Sequence, residues 1–243
     1  LRRVGAEFHA AAEGTASLAE VDALLRQTPP TSSHGDAPLT PALSLHGLQA
    51  GHPGAPPLFA PLDITLPRTG LVAITGPSGC GKSTLLATLR GELAPAAGQV
   101  HVAGVNLDDA DPLWWRRQVA WAPQRPWLVA GSIGDNVRIG QRDATEAAVW
   151  DALDRVGLAQ HVRAMPLQLD TPLGEDGAGL SAGQRARVAL ARVVLARRPV
   201  VLLDEPTAHL DEGTERVLLA TLRDLSSQAL IITVAHRAAV VEA

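Results

Sequence analysis

The sequence predicts an α/β fold built on a parallel sheet, with a mainly helical segment inserted into it. Three observations carry that expectation. Short apolar runs at 71–75, 119–122, 200–203 and 229–234, several of them β-branched, read as buried strands separated by helical patterns. Buried strands alternating with helices are the sequence form of a parallel sheet. The first run leads straight into glycines, and 83–90 then carries Leu85, Leu86 and Leu89 at helical spacing, which gives strand, loop and helix in succession. Between Gly131 and Gln184 the pattern is mainly helical, 144–156 being the clearest helix.

A chain of 243 residues is long enough to bury one large core. Ser17 opens a run with Leu18, Val21, Leu24 and Leu25 on one helical face, and Glu20 stands where a capping-box carboxylate reaches back. Residues 28–41 are rich in Pro, Ser, Thr and Gly without apolar period, so they read as a linker. The catalytic domain is therefore expected over 42–243, its helical subdomain at about 129–184, with 1–41 a preceding helix end and linker. A net charge of −4 provides no field that would concentrate nucleic acid, so no nucleic-acid partner is expected. Cys80, the single cysteine, cannot form an internal disulfide, and no secretory signal opens the chain, which suits a reducing, cytoplasmic setting. No run approaches the roughly 20 apolar residues that cross a bilayer.

The chemistry begins at Gly76-Pro77-Ser78-Gly79-Cys80-Gly81-Lys82-Ser83. Glycines let backbone N–H groups curl around phosphate oxygens, and the following helix N-terminus adds positive potential. Lys82 can reach the outer phosphates and the Ser83 hydroxyl can ligate Mg²⁺ beside them. Cys80 reads as a small residue that fits the loop. At Asp204-Glu205 an apolar strand ends in two carboxylates. Asp204 would hold Mg²⁺ and Glu205 would act as general base toward the attacking water.

Further motifs follow in a fixed order: Gln124 in Ala122-Pro123-Gln124, Leu180-Ser181-Ala182-Gly183-Gln184, Leu210-Asp211, and His236 in Val234-Ala235-His236-Arg237. With the lysine loop and the carboxylate pair, these make the chain from about Leu45 onward resemble the ATP-binding domains of ABC transporters, of the exporter type. The resemblance implies a P-loop NTPase fold with a parallel core sheet, a small antiparallel β subdomain and an inserted helical subdomain. It also implies an ATPase using ATP and Mg²⁺, with residues 76–84, Thr84 included, around the phosphates. Ser181, Gly183 and Gln184 would bind the γ-phosphate of an ATP held by a second subunit. By the same resemblance Gln124 touches Mg²⁺ and senses the transport domain, Leu210-Asp211 is the D-loop with Asp211 among the nucleotide-binding residues, and His236 contacts the γ-phosphate. The family's adenine-stacking residue is usually a Tyr; here His52 takes the matching place, and an imidazole can stack.

Residues 174–177 resemble the loop with which exporters touch their transmembrane helices, and 1–8 resemble the tail of such a transmembrane domain. Trp121 to Pro126, with Thr207 to Asp211, is most similar to CydD-type subunits of the exporter needed for cytochrome bd assembly. That resemblance implies fusion to an upstream transmembrane domain, a CydC-like partner or a second copy, a thiol or haem cargo, and a place at the cytoplasmic face of the inner membrane. A soluble, non-transport ABC ATPase is the alternative. Two departures stand out: Ala182 replaces a signature glycine, and the sequence stops soon after His236.

Overall fold

The computed structural model describes residues 42–52, 54–208 and 210–235. The helix expected near 17–25, the linker at 28–41 and His236 lie outside the described residues.

Four parallel strands form the sheet that positions the chemistry: β3 (Gly70–Ile74), β6 (Val119–Ala122), β9 (Val200–Asp204) and β10 (Leu230–Val234), in the order β3-β10-β9-β6. All five residues of β9 and of β10 are buried. Along β9 the side chains alternate between two cores, Val200 and Leu202 on one face of the sheet, Val201 and Leu203 on the other. Covered on both faces, these strands have no reason to alternate with polar residues, which is why they read as continuous apolar runs.

The second sheet is antiparallel, β2-β1-β4-β5, from β1 (Leu43–Gln49), β2 (Leu62–Thr65), β4 (Ala97–Val102) and β5 (Val105–Asn106). A register shift between His46 and Gln49, with Gly47 at φ +56°, returns Leu48 to the buried face alongside Leu43 and Leu45. This sheet packs with α1 (Lys82–Leu89) on the Val200 and Leu202 face of the parallel sheet. The short helix α2 (Pro112–Gln118) joins that core through Trp115, whose indole N–H donates to Leu89 O at 2.9 Å. Asp111 caps it and Pro112 occupies its first turn.

The opposite face carries α3 (Ile133–Arg138), α4 (Glu146–Arg155), α5 (Ala159–Arg163), α6 (Ala182–Ala196) and α7 (Glu212–Ser226). The helical segment also contains a two-stranded ladder, β7 (Gly131–Ser132) with β8 (Pro172–Leu173). Two residues per strand show no period, so the ladder was invisible in the sequence. Ser132 ends β7 and caps α3 in a reciprocal box with Asp135. Hydrogen bonding to Ser132 holds the Asp135 carboxyl below the usual carboxylate range. Arg192 of α6 joins α6 to α3 and the segment before it: Nε donates to Asn136 O at 2.8 Å, Nη2 to Asn136 Oδ1 at 2.6 Å and Nη1 to Trp127 O at 2.8 Å. Among the described residues no helix is long and apolar enough to cross a membrane.

Candidate nucleotide site

Parallel pairing aligns the carboxyl ends of four strands on one edge. In register, Val234 stands beside Ile74 on one side and Asp204 on the other, and Ala122 stands beside Leu203. The glycine loop, Ala235, Glu205 and Gln124 leave the sheet from that edge, where ligands bind in open α/β sheets.

The glycine loop is shaped by its backbone. Gly76, Gly79 and Gly81 sit at φ +153°, +79° and +96°. Cys80 Sγ lies 2.9 Å from where a Cβ on Gly76 would stand, so the thiol fills the space that glycine leaves. Gly81 is the N-cap of α1 and offers no side-chain cap, in contrast to Asp111, Ser132, Thr145, Ser181 and Asp211 at the starts of α2, α3, α4, α6 and α7. The first N–H groups of α1 are therefore left for an external acceptor, which an anion would satisfy. Lys82 opens the helix at 8% exposure, and its ammonium donates to Gly76 O at 2.9 Å and Pro77 O at 2.8 Å. Its charge is thereby poised inside the loop. Pro77, Ser78 and Ser83 are exposed on the same turn, and Thr84 follows half-buried.

Asp204 is buried at the last position of β9. The chain then turns through Glu205 at φ +50°, a left-handed conformation uncommon for a residue with a Cβ. Its N–H donates to Val234 O at 3.2 Å, which ties the turn to β10. Glu205 Oε2 accepts from Gln124 Nε2 at 2.8 Å, joining two residues 81 positions apart. A small cleft behind them is lined by Ala186 and Leu190 of α6. Gln124, Asp204, Glu205 and the glycine loop thus emerge from one strand edge, as expected from the sequence.

His52 is exposed in the loop after β1. The side chains of that loop that reach the glycine loop are Leu58 and Phe59, which stand 2.9 and 3.2 Å from where a Gly81 Cβ would be.

The signature segment stands apart. Ser181 is the N-cap of α6: its Oγ accepts from Gln184 N at 3.2 Å, and its N–H donates to Gln184 Oε1 at 2.8 Å. A hydroxyl that only accepts keeps its proton for a further acceptor, so capping and phosphate binding are compatible. Ala182 takes the first helical position and is not among the residues of positive φ, so its methyl group costs the backbone nothing. The hydrogen bonds of Ser181 and Gln184 stay within this segment, apart from one to His161; among the described residues none reaches the glycine loop. No spacing pattern could have flagged His161, since it meets Gln184 across 23 residues of chain. Asp211 caps α7, with Oδ1 accepting from Thr214 N at 2.9 Å and Oδ2 from Thr214 Oγ1 at 2.8 Å. Those bonds hold its carboxyl below the usual range; burial pushes the Arg187 guanidinium on α6 below its ordinary value, and the Asp211 carboxylate offsets part of that.

An uncapped helix behind a glycine loop, with a lysine inside it and carboxylates at a strand end on the same edge of the sheet, defines a nucleotide-binding α/β domain of the P-loop class. The profile of the family described as ABC transporter matches residues 59–208. The chain belongs to the ABC transporter family and is its ATP-binding, ATPase-type domain. It is 32% identical over 98% of its length to "Glutathione/L-cysteine transport system ATP-binding/permease protein CydD" of Escherichia coli, covering 41% of that protein. It is likewise 32% identical over 98% of its length to the CydC protein of Bacillus subtilis, covering 42%. The structure titled "Structure of a bacterial Atm1-family ABC exporter with ATP bound" superposes with a TM-score of 0.84 at 28% identity, over 96% of this chain and 42% of that one. The chain thus spans about two-fifths of the length of these relatives. Such neighbours favour the exporter type over the soluble alternative.

Proposed function

We propose that this domain binds ATP with Mg²⁺ and, facing a second ABC domain, hydrolyses it to drive a membrane exporter at the cytoplasmic face of the inner membrane. The observation that carries the reading is the half-complete site: the glycine loop, Asp204 and Glu205 share one edge, whereas among the described residues the signature bonds only within its own segment and to His161. Each chain then contributes two half-sites, its glycine loop to one ATP and its signature, Ser181, Gly183 and Gln184, to the other.

In this reading residues 76–84 surround the phosphates with backbone N–H groups, and Lys82 leaves its loop carbonyls for the outer phosphates. Ser83, Asp204 and Gln124 would hold Mg²⁺; hydroxyl, carboxylate and carboxamide oxygens are the donors a hard cation takes, so the residues fit the ion. When bound, Mg²⁺ neutralises phosphate charge. Glu205 accepts the proton of the attacking water, His236 contacts the γ-phosphate, and His52 stacks on adenine. Gln124 Nε2 donates to Glu205 Oε2, so that oxygen becomes available to the water once Gln124 turns to the metal. Most of the catalysis is positioning and electrostatics.

Gln124 and 174–177 form the side turned to the membrane domain. The two segments are neighbours: Leu128 Cδ1 lies 2.6 Å from where a Gly177 Cβ would be, and Trp127 beside it is 67% exposed. Residues 1–41 connect to that membrane domain, and 42–243 form the ATP-binding domain. The names of the relatives support a small thiol such as glutathione or cysteine as cargo, with a CydC-like subunit or a second copy as partner.

The test is Glu205→Gln in the full-length protein. ATP turnover should fall at least a hundredfold, the low end of what a general base contributes, while ATP still binds. Unchanged turnover sinks the reading.

A further inference from the structure

We infer that His161 is a positioning residue for the signature: its imidazole orients the Gln184 carboxamide, and through it the Ser181 cap that faces a partner's phosphate. The inference rests on the reading of 181–184 as a phosphate-binding half-site.

The hydrogen bonds leave one arrangement. Ser181 N–H can only donate, and it lies 2.8 Å from the Gln184 amide oxygen, so that oxygen faces the cap. The amide nitrogen therefore faces outward, where it meets His161 Nε2 at 2.8 Å. An amide NH₂ offers only protons, so Nε2 must accept, and the ring carries its proton on Nδ1. His161 thus holds Gln184 at one end while Ser181 holds it at the other. The Gln184 backbone N–H in turn occupies one lone pair of Ser181 Oγ at 3.2 Å, which aims the remaining hydroxyl proton away from the helix.

Packing does not account for the histidine. On α5 the core positions are Ala159 and Val162, both buried, whereas His161 is exposed. Without an acceptor at this place the amide can rotate by half a turn about its last bond, and the Ser181 N–H then confronts an NH₂ group. The cap would be populated only part of the time, and a binding group spread over several geometries holds a phosphate less well than one held in place.

The experiment uses the full-length protein in lipid nanodiscs, with ATP turnover measured against ATP concentration. His161→Phe keeps a ring of similar size and removes the acceptor; we expect kcat/KM to fall three- to tenfold with the melting temperature unchanged. His161→Gln places a carbonyl oxygen about where Nε2 stands and should restore kcat/KM to within twofold of the natural protein. Gln184→Ala and the double variant with His161→Phe should lose the same amount, because the histidine acts only through the glutamine. The inference is overturned if His161→Phe matches the natural protein, or if the losses of His161→Phe and Gln184→Ala multiply in the double variant. Gly183→Asp, which puts a negative charge into the half-site, separates the two levels. If it leaves turnover intact, the reading of 181–184 fails and the inference with it. If it abolishes turnover while His161→Phe does not change it, only the inference fails.

Discussion

Gly81 shows how much one position of the glycine loop has to satisfy. Its φ of +96° admits few side chains, and a Cβ would stand 2.9 Å from Leu58 Cβ and 3.2 Å from Phe59 Cδ1. Gly81→Ala should cost about 1–2 kcal/mol in backbone conformation alone. For a domain of this size that is a fall of roughly 2–8 °C in melting temperature, with weaker ATP binding in a titration. Glu205 presents the converse case, a residue with a Cβ held at φ +50° because its N–H is bound to Val234 O. The individual groups of the site were largely legible in the sequence, since glycines, a lysine and adjacent carboxylates at a strand end are chemistry written in neighbouring letters. His161 was not. Its partner is 23 residues away, and only the folded chain joins the two.

At the scale of elements, the strands were legible because burial on both faces leaves an unbroken apolar run. β3, β6, β9 and β10 fall within a residue of the expected 71–75, 119–122, 200–203 and 229–234. The β7–β8 ladder and α2 were not singled out: two-residue strands carry no period, and α2 buries Trp115 alone. What joins the helical segment to α6 is polar and equally hard to read, for Arg192 reaches Asn136 and Trp127 from 56 and 65 residues away. Burial pushes the Arg192 guanidinium below its ordinary value, yet three hydrogen bonds hold it. Arg192→Met keeps much of the stem and strands the acceptors, at an expected cost of about 1–3 kcal/mol. Amide hydrogen exchange over 127–138 should accelerate; protection equal to that of the natural protein would show that apolar packing alone holds α3 against α6.

For the molecule as a whole, the proposed reading of the glycine loop and of 181–184 as two half-sites predicts that association is a requirement of catalysis. In Glu205→Gln, which should bind ATP without turning it over, ATP with Mg²⁺ should double the apparent mass of this domain in light scattering, and ADP should not. A chain that stays monomeric under saturating ATP would contradict homodimer formation and leave a heterologous partner as the required one.

The strand order β3-β10-β9-β6 also bears on how the protein is made. In that sheet β3 and β6 are synthesised early, yet neither has a neighbour until β9 follows, and β3 has none until 230–234 has been translated. The antiparallel sheet draws all four of its strands from 43–106 and can close while the ribosome is still working. A nascent chain therefore carries two unmatched apolar strands until 200–234 has been made, and over that interval it depends most on chaperones. A chain that stops short of Leu230 lacks the strand that joins β3 to β9, so its central seam is missing.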